Sequence, residues 1–205
     1  MKIICIGRNY VDHAKELNNP VPSEPLFFLK PDSAILPHKH PLYIPEWTQD
    51  LHYEVELVIK INRLGKYIEE ANASKYYSEV SVGIDFTARD VQAECKKKGH
   101  PWEKAKAFDG SAPVSKKFTP ISELGGDVQD IAFWITKNDE IVQQGNSSDM
   151  IFSVDKIISY VSQYMTLRMG DYIFTGTPAG VGPVSIGDVL KCGLGEKEML
   201  QVLVK

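Results

Sequence analysis

The chain of 205 residues is long enough to bury a full hydrophobic core and is most simply interpreted as one domain. Its hydrophobic content of 43% and charged content of 24% are those of an ordinary soluble globular protein, and its net charge of −4 argues against nucleic-acid binding. No apolar segment approaches the roughly 20 residues that span a bilayer, and the three cysteines lack the spacing of a zinc site or disulfide framework. We therefore expect a reduced, cytoplasmic protein with no membrane or nucleic-acid partner.

The N-terminal segment predicts a short buried strand over residues 2–6 and a helix over residues 8–17. Asn9 can cap this helix, because its side-chain oxygen can accept a free backbone N–H of the first turn. His13 and Glu16 lie three residues apart and share a helix face, which is the geometry of an acid–base pair. The alternative is a surface His–Glu pair without a function.

The segment from residue 18 to residue 45 carries seven of the twelve prolines, so it cannot be a long helix. Within it, residues 26–29 read L-F-F-L and predict a strand, and we expect His38 and His40 to be solvated. A long irregular segment in a compact protein is either mobile or functional. A lid over a site would be both.

The stretch H-Y-E-V-E-L at residues 52–57 predicts a strand in which Glu54 and Glu56 project from the same face. Two carboxylates on the same strand face repel each other, and this repulsion favours a cation between them. The alternative is that this E-x-E lies on a solvent-facing strand and binds nothing. A second strand over residues 80–86 presents Asp85 at its end. Glu54, Glu56 and Asp85 together form a set of hard oxygen ligands that suits Mg²⁺, Mn²⁺ or Ca²⁺.

Residues 87–99 predict a helix with Thr87 as its N-cap, Asp90 three residues later and Gly99 as its stop. The basic run Lys96–Lys98 falls in the last turn, where the helix dipole favours cations, so it does not indicate a nucleic-acid site.

The rest of the chain is mainly strands and loops. Residues 68–77 predict a short helix and residues 100–113 a loop; strands follow over 131–136 and 141–144, and residues 153–165 form a helix with one apolar face. Residues 168–182 predict a strand that enters a glycine-rich loop around Gly176, Gly180 and Gly182, and two strands close the chain. Backbone N–H groups of this loop could bind an oxyanion or carboxylate, although a tight hairpin turn is the simpler alternative.

Four motifs occur in order: G-R-N-Y-x-D-H-x-x-E at 7–16, H-Y-E-V-E-L at 52–57, D-F-T-A-R-D-V-Q at 85–92 and G-D-Y-I-F-T-G-T-P-A-G-V-G at 170–182. As a set, they make the chain resemble the fumarylacetoacetate hydrolase superfamily, in its short acylpyruvate hydrolase and oxaloacetate decarboxylase-like branch. The resemblance implies an α+β, predominantly β fold, a mixed β-sandwich roll. It also implies a single catalytic domain over 1–205, with a mobile lid within residues 1–45, and a homodimer.

The resemblance also implies roles for particular residues. It implies that Glu54, Glu56 and Asp85 hold Mg²⁺ or Mn²⁺, and that His13 and Glu16 position and deprotonate a water. Lys106 matches a lysine that faces the substrate, and four further residues match substrate-pocket positions: Arg8, Tyr10, Gln92 and Thr177.

The function that the resemblance implies is divalent-metal-dependent cleavage of a C–C bond in a small 2-oxo acid through an enolate. Acylpyruvate hydrolysis and oxaloacetate decarboxylation are the two reactions of this kind. An isomerase on the same scaffold, acting on oxaloacetate or on 2-hydroxyhepta-2,4-diene-1,7-dioate, is an alternative, because isomerisation needs only enolate stabilisation and a proton shuttle. A β-rich binding or assembly protein without catalysis is a third interpretation.

Overall fold

The computed structural model describes all 205 residues and contains four helices and thirteen strands. The helices are α1 (Val11–Glu16), α2 (Arg89–Lys98), α3 (Glu103–Lys106) and α4 (Val154–Tyr164). The strands are β1 (Ile3–Gly7), β2 (Leu26–Lys30), β3 (Leu51–Tyr53), β4 (Val55–Lys60), β5 (Glu79–Ile84), β6 (Thr87–Ala88), β7 (Thr119–Pro120), β8 (Ala132–Lys137), β9 (Glu140–Asn146), β10 (Tyr172–Phe174), β11 (Gly182–Pro183), β12 (Val189–Leu194) and β13 (Lys197–Leu203). None of the helices has both the length and the apolar character that a membrane span requires.

The strands form three sheets, which confirms the predicted α+β, predominantly β sandwich. The largest sheet has the order β2-β1-β10-β4-β5-β7, and it is mixed because β1 and β10 are parallel whereas its other pairs are antiparallel. A four-stranded antiparallel sheet has the order β13-β12-β8-β9, and a small sheet joins β11, β3 and β6. Strands β4 and β5 contact β8, β12 and β13, so the two larger sheets pack face to face.

The main core lies between these two sheets and under α4. Because successive strand residues point to opposite faces, Leu57 and Ile59 of β4 enter this core, as do Val80, Val82 and Ile84 of β5. Helix α4 adds the predicted apolar face of Ile157, Ile158 and Val161, and the side chain of Ser153 caps it by accepting the backbone N–H of Lys156 at 3.1 Å.

A smaller apolar cluster lies on the opposite face of the six-stranded sheet. It contains Ile3 and Cys5 of β1, Val58 of β4 and Phe174 of β10. Glu56 has the same parity along β4 as Val58 and therefore projects from this second face. The alternation that builds the main core thus directs Glu56 away from it.

Two predicted helix caps are wrong, because tertiary partners bind the side chains. Helix α1 begins at Val11, and the Asn9 amide instead donates to the carbonyls of Phe152 and Thr175 at 3.1 and 2.8 Å. Helix α2 begins at Arg89, and Thr87 belongs to strand β6, where its hydroxyl accepts from Lys106 Nζ at 2.6 Å.

Three other predictions need adjustment. The predicted helix over 68–77 is a 3₁₀ helix over Glu70–Tyr76, and the predicted loop over 100–113 contains α3. The carboxylate of Asp90, expected to serve helix capping, accepts from Thr48 Oγ1 at 2.6 Å and from the backbone N–H of Gln49 at 2.9 Å, as well as from Val91 N. The strand over 26–29 is confirmed as β2, and His38 and His40 are exposed.

Candidate active site

Three buried carboxylates converge on the second face of the large sheet. Glu54 lies at the break between β3 and β4, where the chain passes from the small sheet to the large one, and Glu56 lies in β4. Asp85 follows β5 directly, and its backbone N–H donates to the Glu54 carbonyl at 2.8 Å, which continues the β4–β5 ladder to the end of both strands. One carboxylate oxygen from each residue lies within 4.8 Å of the others, and all three side chains are buried.

Three cationic side chains surround this triad, but they do not pair equally with its three carboxylates. Lys106 Nζ donates to Glu54 Oε2 at 2.8 Å and to Asp85 Oδ2 at 2.6 Å. Lys30 Nζ lies 2.7 Å from Asp85 Oδ1, and an Arg89 amino group donates to Glu54 Oε1. Glu54 and Asp85 therefore each have two cationic partners.

Glu56 has no ion pair. Its Oε2 accepts the backbone N–H of Gly176 at 2.7 Å. Burial raises the pKa of Glu56 well above the usual range, the charges of Asp85 and Glu54 raise it further, and Lys106 offsets this only in part. Burial also acts to raise the pKa of Glu54, but Lys106 and Arg89 outweigh it and hold that pKa far below the usual range.

The triad fits a divalent cation. Its donors are hard carboxylate oxygens in one buried cluster, and the carboxylate without an ion pair, Glu56, is the member whose charged form most needs an added positive charge. Three protein ligands would leave octahedral positions open for water or a chelating ligand. The protein can therefore hold a hard divalent cation at Glu54, Glu56 and Asp85.

The glycine-rich loop after β10 binds carboxylates of the chain itself. Gly176 has φ +102°, which only glycine adopts without strain, and a Cβ there would lie 2.7 Å from the Cβ of Asn9. The N–H of Gly180 donates to Glu16 Oε1 at 3.0 Å. The loop thus fixes Glu56 of the triad and Glu16 of α1 through its backbone.

His13 and Glu16 form the predicted pair on α1. His13 Nδ1 lies 3.2 Å from Glu16 Oε2, and the His13 ring is 6% exposed in the wall of the same cleft. With Glu16 accepting the proton of Nδ1, the imidazole tautomer leaves Nε2 with a free lone pair. This nitrogen has no protein hydrogen-bond partner.

The cleft above the triad brings together most of the residues singled out from the sequence. Besides the triad, Lys106 and His13, its walls include Arg8, Gln92 and Thr177. Tyr10 does not line it: the ring is buried edge-on against Phe133, with centroids 6.3 Å apart, and its hydroxyl has no hydrogen-bond partner. Burial and the charge of Glu56 raise the pKa of Tyr10, so this phenol stays neutral.

Sequence analysis did not identify several residues that build the site. Lys30 is the last residue of β2, and its side chain is fully buried beside Asp85. Gln143 of β9 accepts the backbone N–H of Val55 at 3.0 Å and donates to Thr177 Oγ1 at 2.9 Å. Gln143 thereby ties the glycine-rich loop to the start of β4. Arg89 lies within the D-F-T-A-R-D-V-Q motif, four residues after Asp85. Its place in that motif is the sequence feature from which it could have been identified.

This combination of a two-sheet α+β sandwich with a buried carboxylate triad defines the class, and the chain belongs to the fumarylacetoacetate hydrolase family. Residues 2–203 match the family described as Fumarylacetoacetate (FAA) hydrolase C-terminal. The match covers nearly the whole chain and places the protein among the enzymes of this family.

Individual relatives agree with this assignment. The chain is 46% identical to a mitochondrial oxaloacetate tautomerase of Bos taurus over 94% of its own length and 86% of that protein. It is 45% identical to a mitochondrial oxaloacetate decarboxylase of Dictyostelium discoideum, over 94% of this chain and 88% of the relative. The crystal structure of fumarylpyruvate hydrolase from Pseudomonas aeruginosa, in complex with Mn²⁺ and pyruvate, superposes with a TM-score of 0.92 at 37% identity, covering 100% of this chain and 89% of the other.

Proposed function

We propose that the protein is a divalent-metal-dependent enzyme that cleaves a C–C bond in a small 2-oxo acid, by hydrolysis of an acylpyruvate or decarboxylation of oxaloacetate. One observation carries the proposal: the oxygens of Glu54, Glu56 and Asp85 converge within 4.8 Å in the cleft that His13 also lines. The adjacent 2-oxo and carboxylate oxygens of such a substrate are hard donors, which suit the coordination positions that three protein ligands leave open.

The cation is Mg²⁺ or Mn²⁺ in this proposal, held by Glu54, Glu56 and Asp85. When bound, it would polarise the 2-oxo carbonyl as a Lewis acid. The Mn²⁺ in the related fumarylpyruvate hydrolase structure supports a transition metal or Mg²⁺ over Ca²⁺.

Lys106 supplies a fixed positive charge beside the reacting oxygen. Its three N–H donors bind Glu54, Asp85 and the neutral hydroxyl of Thr87. The bonds to Glu54 and Asp85 join opposite charges, whereas the Thr87 hydroxyl is neutral, so the Thr87 bond is the one that a substrate oxyanion would replace. Lys106 would then stabilise the negative charge that develops on the 2-oxo oxygen.

His13 and Glu16 form the pair that transfers protons during the reaction. Glu16, fixed by the Gly180 N–H, holds His13 so that Nε2 can accept a proton from water. In acylpyruvate hydrolysis the oxygen of that water attacks the distal carbonyl, the C3–C4 bond breaks, and its electron pair leaves with pyruvate as the enolate. In oxaloacetate decarboxylation the C3–C4 bond breaks without attack by water, carbon dioxide departs with neither of the bonding electrons, and His13 can transfer a proton taken up from solvent to C3.

Tautomerisation of oxaloacetate is a second candidate. It moves one proton between C3 and the 2-oxo oxygen, and the free Nε2 of His13 together with the charge of Lys106 suffices for such a shuttle. The name of the bovine relative, an oxaloacetate tautomerase, favours this reaction. All three reactions develop enolate charge on the 2-oxo oxygen, in the pyruvate enolate after C–C cleavage and in the oxaloacetate enolate during tautomerisation, so Lys106 and His13 would serve each.

The test is to measure pyruvate release from acetylpyruvate and from oxaloacetate, together with enol-to-keto conversion of oxaloacetate, by the purified protein. Each assay is run with Mg²⁺, with Mn²⁺ and after chelation, beside the Glu56→Gln variant and an exposed control, Glu140→Gln. Pyruvate release that needs metal and is abolished only by Glu56→Gln supports C–C cleavage. Metal-dependent enol-to-keto conversion without pyruvate release supports the tautomerase, and no metal-dependent turnover in any assay overturns both.

Four further expectations belong to this proposal: a single catalytic domain over residues 1–205, a lid within residues 1–45 that includes α1, a homodimer and a cytoplasmic location. The exposed Leu26 and Leu29 on β2, an edge strand of the large sheet, support a second subunit. Light scattering of the purified protein would measure its mass in solution, and a mass of one chain would contradict the dimer. The two relatives compared above are named as mitochondrial, so location needs its own measurement by fractionation.

A further inference from the structure

The basic run at the end of α2 contains one lysine that turns into the cleft. Arg89, Gln92 and Lys96 are spaced three and four residues apart, so they share one face of α2, and all three line the cleft. Lys97 and Lys98 lie on other faces and do not line it. The helix dipole accounts for cations in this turn but not for the direction of Lys96.

Lys96, like Arg8, differs from the three cations that surround the triad because its side chain has no anionic partner. Arg89, Lys106 and Lys30 each pair with Glu54 or Asp85, whereas Lys96 forms neither an ion pair nor a hydrogen bond within the chain. Its ammonium group instead lies 5.5 Å from the centre of the Trp102 ring, which also lines the cleft. The aromatic face holds the charge at the cleft wall and leaves its N–H donors free.

The charge of the cleft calls for more than one negative group on the ligand. Four cationic side chains line it (Arg8, Arg89, Lys96 and Lys106) against the three carboxylates of the triad. Lys96 is exposed on its outer side, but partial desolvation at the cleft and the neighbouring charges of Arg8, Arg89 and Lys106 lower its pKa to about 8, so a nearby anion would stabilise its charged form. When a divalent cation is bound at the triad, the cleft carries more positive charge than a single carboxylate group of a ligand can neutralise.

We propose that Lys96 is a specificity residue that binds the distal carboxylate of a dicarboxylic 2-oxo acid while the 2-oxo and adjacent carboxylate groups face the triad. The proposal rests on the proposed function, since it takes the triad as the anchor of the 2-oxo end. It makes the enzyme selective for diacids over acylpyruvates that end in a methyl or alkyl group. In tautomerisation Lys96 then contributes to binding of a carboxylate that the reaction leaves intact, whereas in decarboxylation it would contact the carboxylate that departs as carbon dioxide.

The kinetic test compares Lys96→Gln with Lys97→Gln, the neighbour on the same helix turn that does not line the cleft. A lost charge-assisted hydrogen bond corresponds to a loss of about 10- to 100-fold in kcat/KM. We expect this loss for the enol-to-keto conversion of oxaloacetate, mainly through KM, with a change of less than about twofold for acetylpyruvate. The distal carboxylate keeps its charge throughout that conversion, and a contact made equally in ground and transition states acts on KM. Lys96→Arg should recover most of the activity, and Lys97→Gln should match the wild type. A loss that is equal for both substrates, or no loss, overturns the proposal.

A second measurement does not require turnover. Titration calorimetry of the Mn²⁺-loaded protein would compare 2-oxoglutarate with 2-oxopentanoate, which have the same chain length and differ in the distal carboxylate. We expect the wild type to bind 2-oxoglutarate at least about tenfold more tightly and Lys96→Gln to lose that preference. If this preference exists without any catalysis, the proposed reaction fails and the carboxylate site stands. If the wild type binds both acids equally, the proposal for Lys96 fails whatever the reaction.

Discussion

Glu56 should destabilise the metal-free protein at neutral pH, so replacing it with glutamine should raise stability while removing metal binding. The carboxyl group is buried, and its pKa is raised well above 4.5 by burial and by the charges of Asp85 and Glu54. At any pH between the ordinary glutamate pKa and this raised pKa, the folded protein therefore holds a proton on Glu56 that the unfolded chain has released. Stability falls as the pH rises above the ordinary glutamate value, and it continues to fall until the raised pKa is reached.

The size of this effect has an upper limit. Each pH unit between the unfolded pKa and the working pH costs about 1.4 kcal/mol, so from 4.5 to pH 7 the loss is at most about 3.5 kcal/mol. Glutamine has nearly the same shape, and its side-chain oxygen can still accept the Gly176 N–H. For a chain of this length, 1 kcal/mol corresponds to roughly 2 to 4 °C in Tm. We expect Glu56→Gln to raise the Tm in chelator by about 2 to 10 °C at pH 7, within that limit.

The assay is thermal unfolding at pH 5 to 8 in chelator and in excess Mn²⁺, with Glu140→Gln as the exposed control. The wild type should lose stability with rising pH in chelator and regain it with Mn²⁺, by about 2.7 kcal/mol when the ion is at 100 times its Kd. Glu56→Gln should show neither response. A Glu56→Gln protein that is less stable than the wild type in chelator at pH 7, and is still stabilised by Mn²⁺, would refute this account of the triad.

Three other substitutions test neighbouring parts of the site. Glu16→Gln removes the charge that orients His13, so acetylpyruvate hydrolysis should fall about 100-fold or more and oxaloacetate tautomerisation less, in parallel assays; equal losses would contradict separate roles. Lys30→Met leaves the buried Asp85 with one cation fewer, so the free energy of unfolding should fall by about 3 to 5 kcal/mol in denaturant titrations and Mn²⁺ should bind more weakly; an unchanged protein would contradict a structural ion pair. Gly176→Ala should cost at least about 2 kcal/mol, against about 1 kcal/mol for Gly99→Ala, where an added Cβ meets nothing within 4 Å; equal costs would show that the contact with Asn9 is easily relieved.

The carboxylate cluster was predictable because it follows from local periodicity. Glu56 lies in β4, Glu54 directly precedes that strand and Asp85 directly follows the adjacent antiparallel strand β5; residues that alternate with core positions must point to the other sheet face. The spacing of His13 and Glu16 on one helix turn is local in the same sense. Their distances in the folded chain follow from backbone geometry that the sequence pattern already specifies.

The residues that support the cluster come from distant parts of the chain, and their neighbours are set by tertiary packing. Lys30 reaches Asp85 across 55 positions, and Gln143 reaches Val55 across 88. Asn9 and Thr87 carry good capping side chains, but their stronger partners are buried groups that local propensity does not include. The two capping errors therefore have the same cause: a side chain suited to a local hydrogen bond was bound by a distant group.

Lys96 is the opposite case. Its position in the local sequence pattern indicated that it faces the cleft, but the helix dipole already explained the basic run, so this indication was overlooked. Its position in the last turn of α2 satisfied the helix dipole, yet its spacing from Arg89 and Gln92 already placed it on the face that meets the cleft. The dipole acts on all three lysines alike, whereas a ligand can contact only the one that faces it. A selective effect of Lys96→Gln beside a neutral Lys97→Gln would therefore separate recognition of a ligand from helix stabilisation within a single turn.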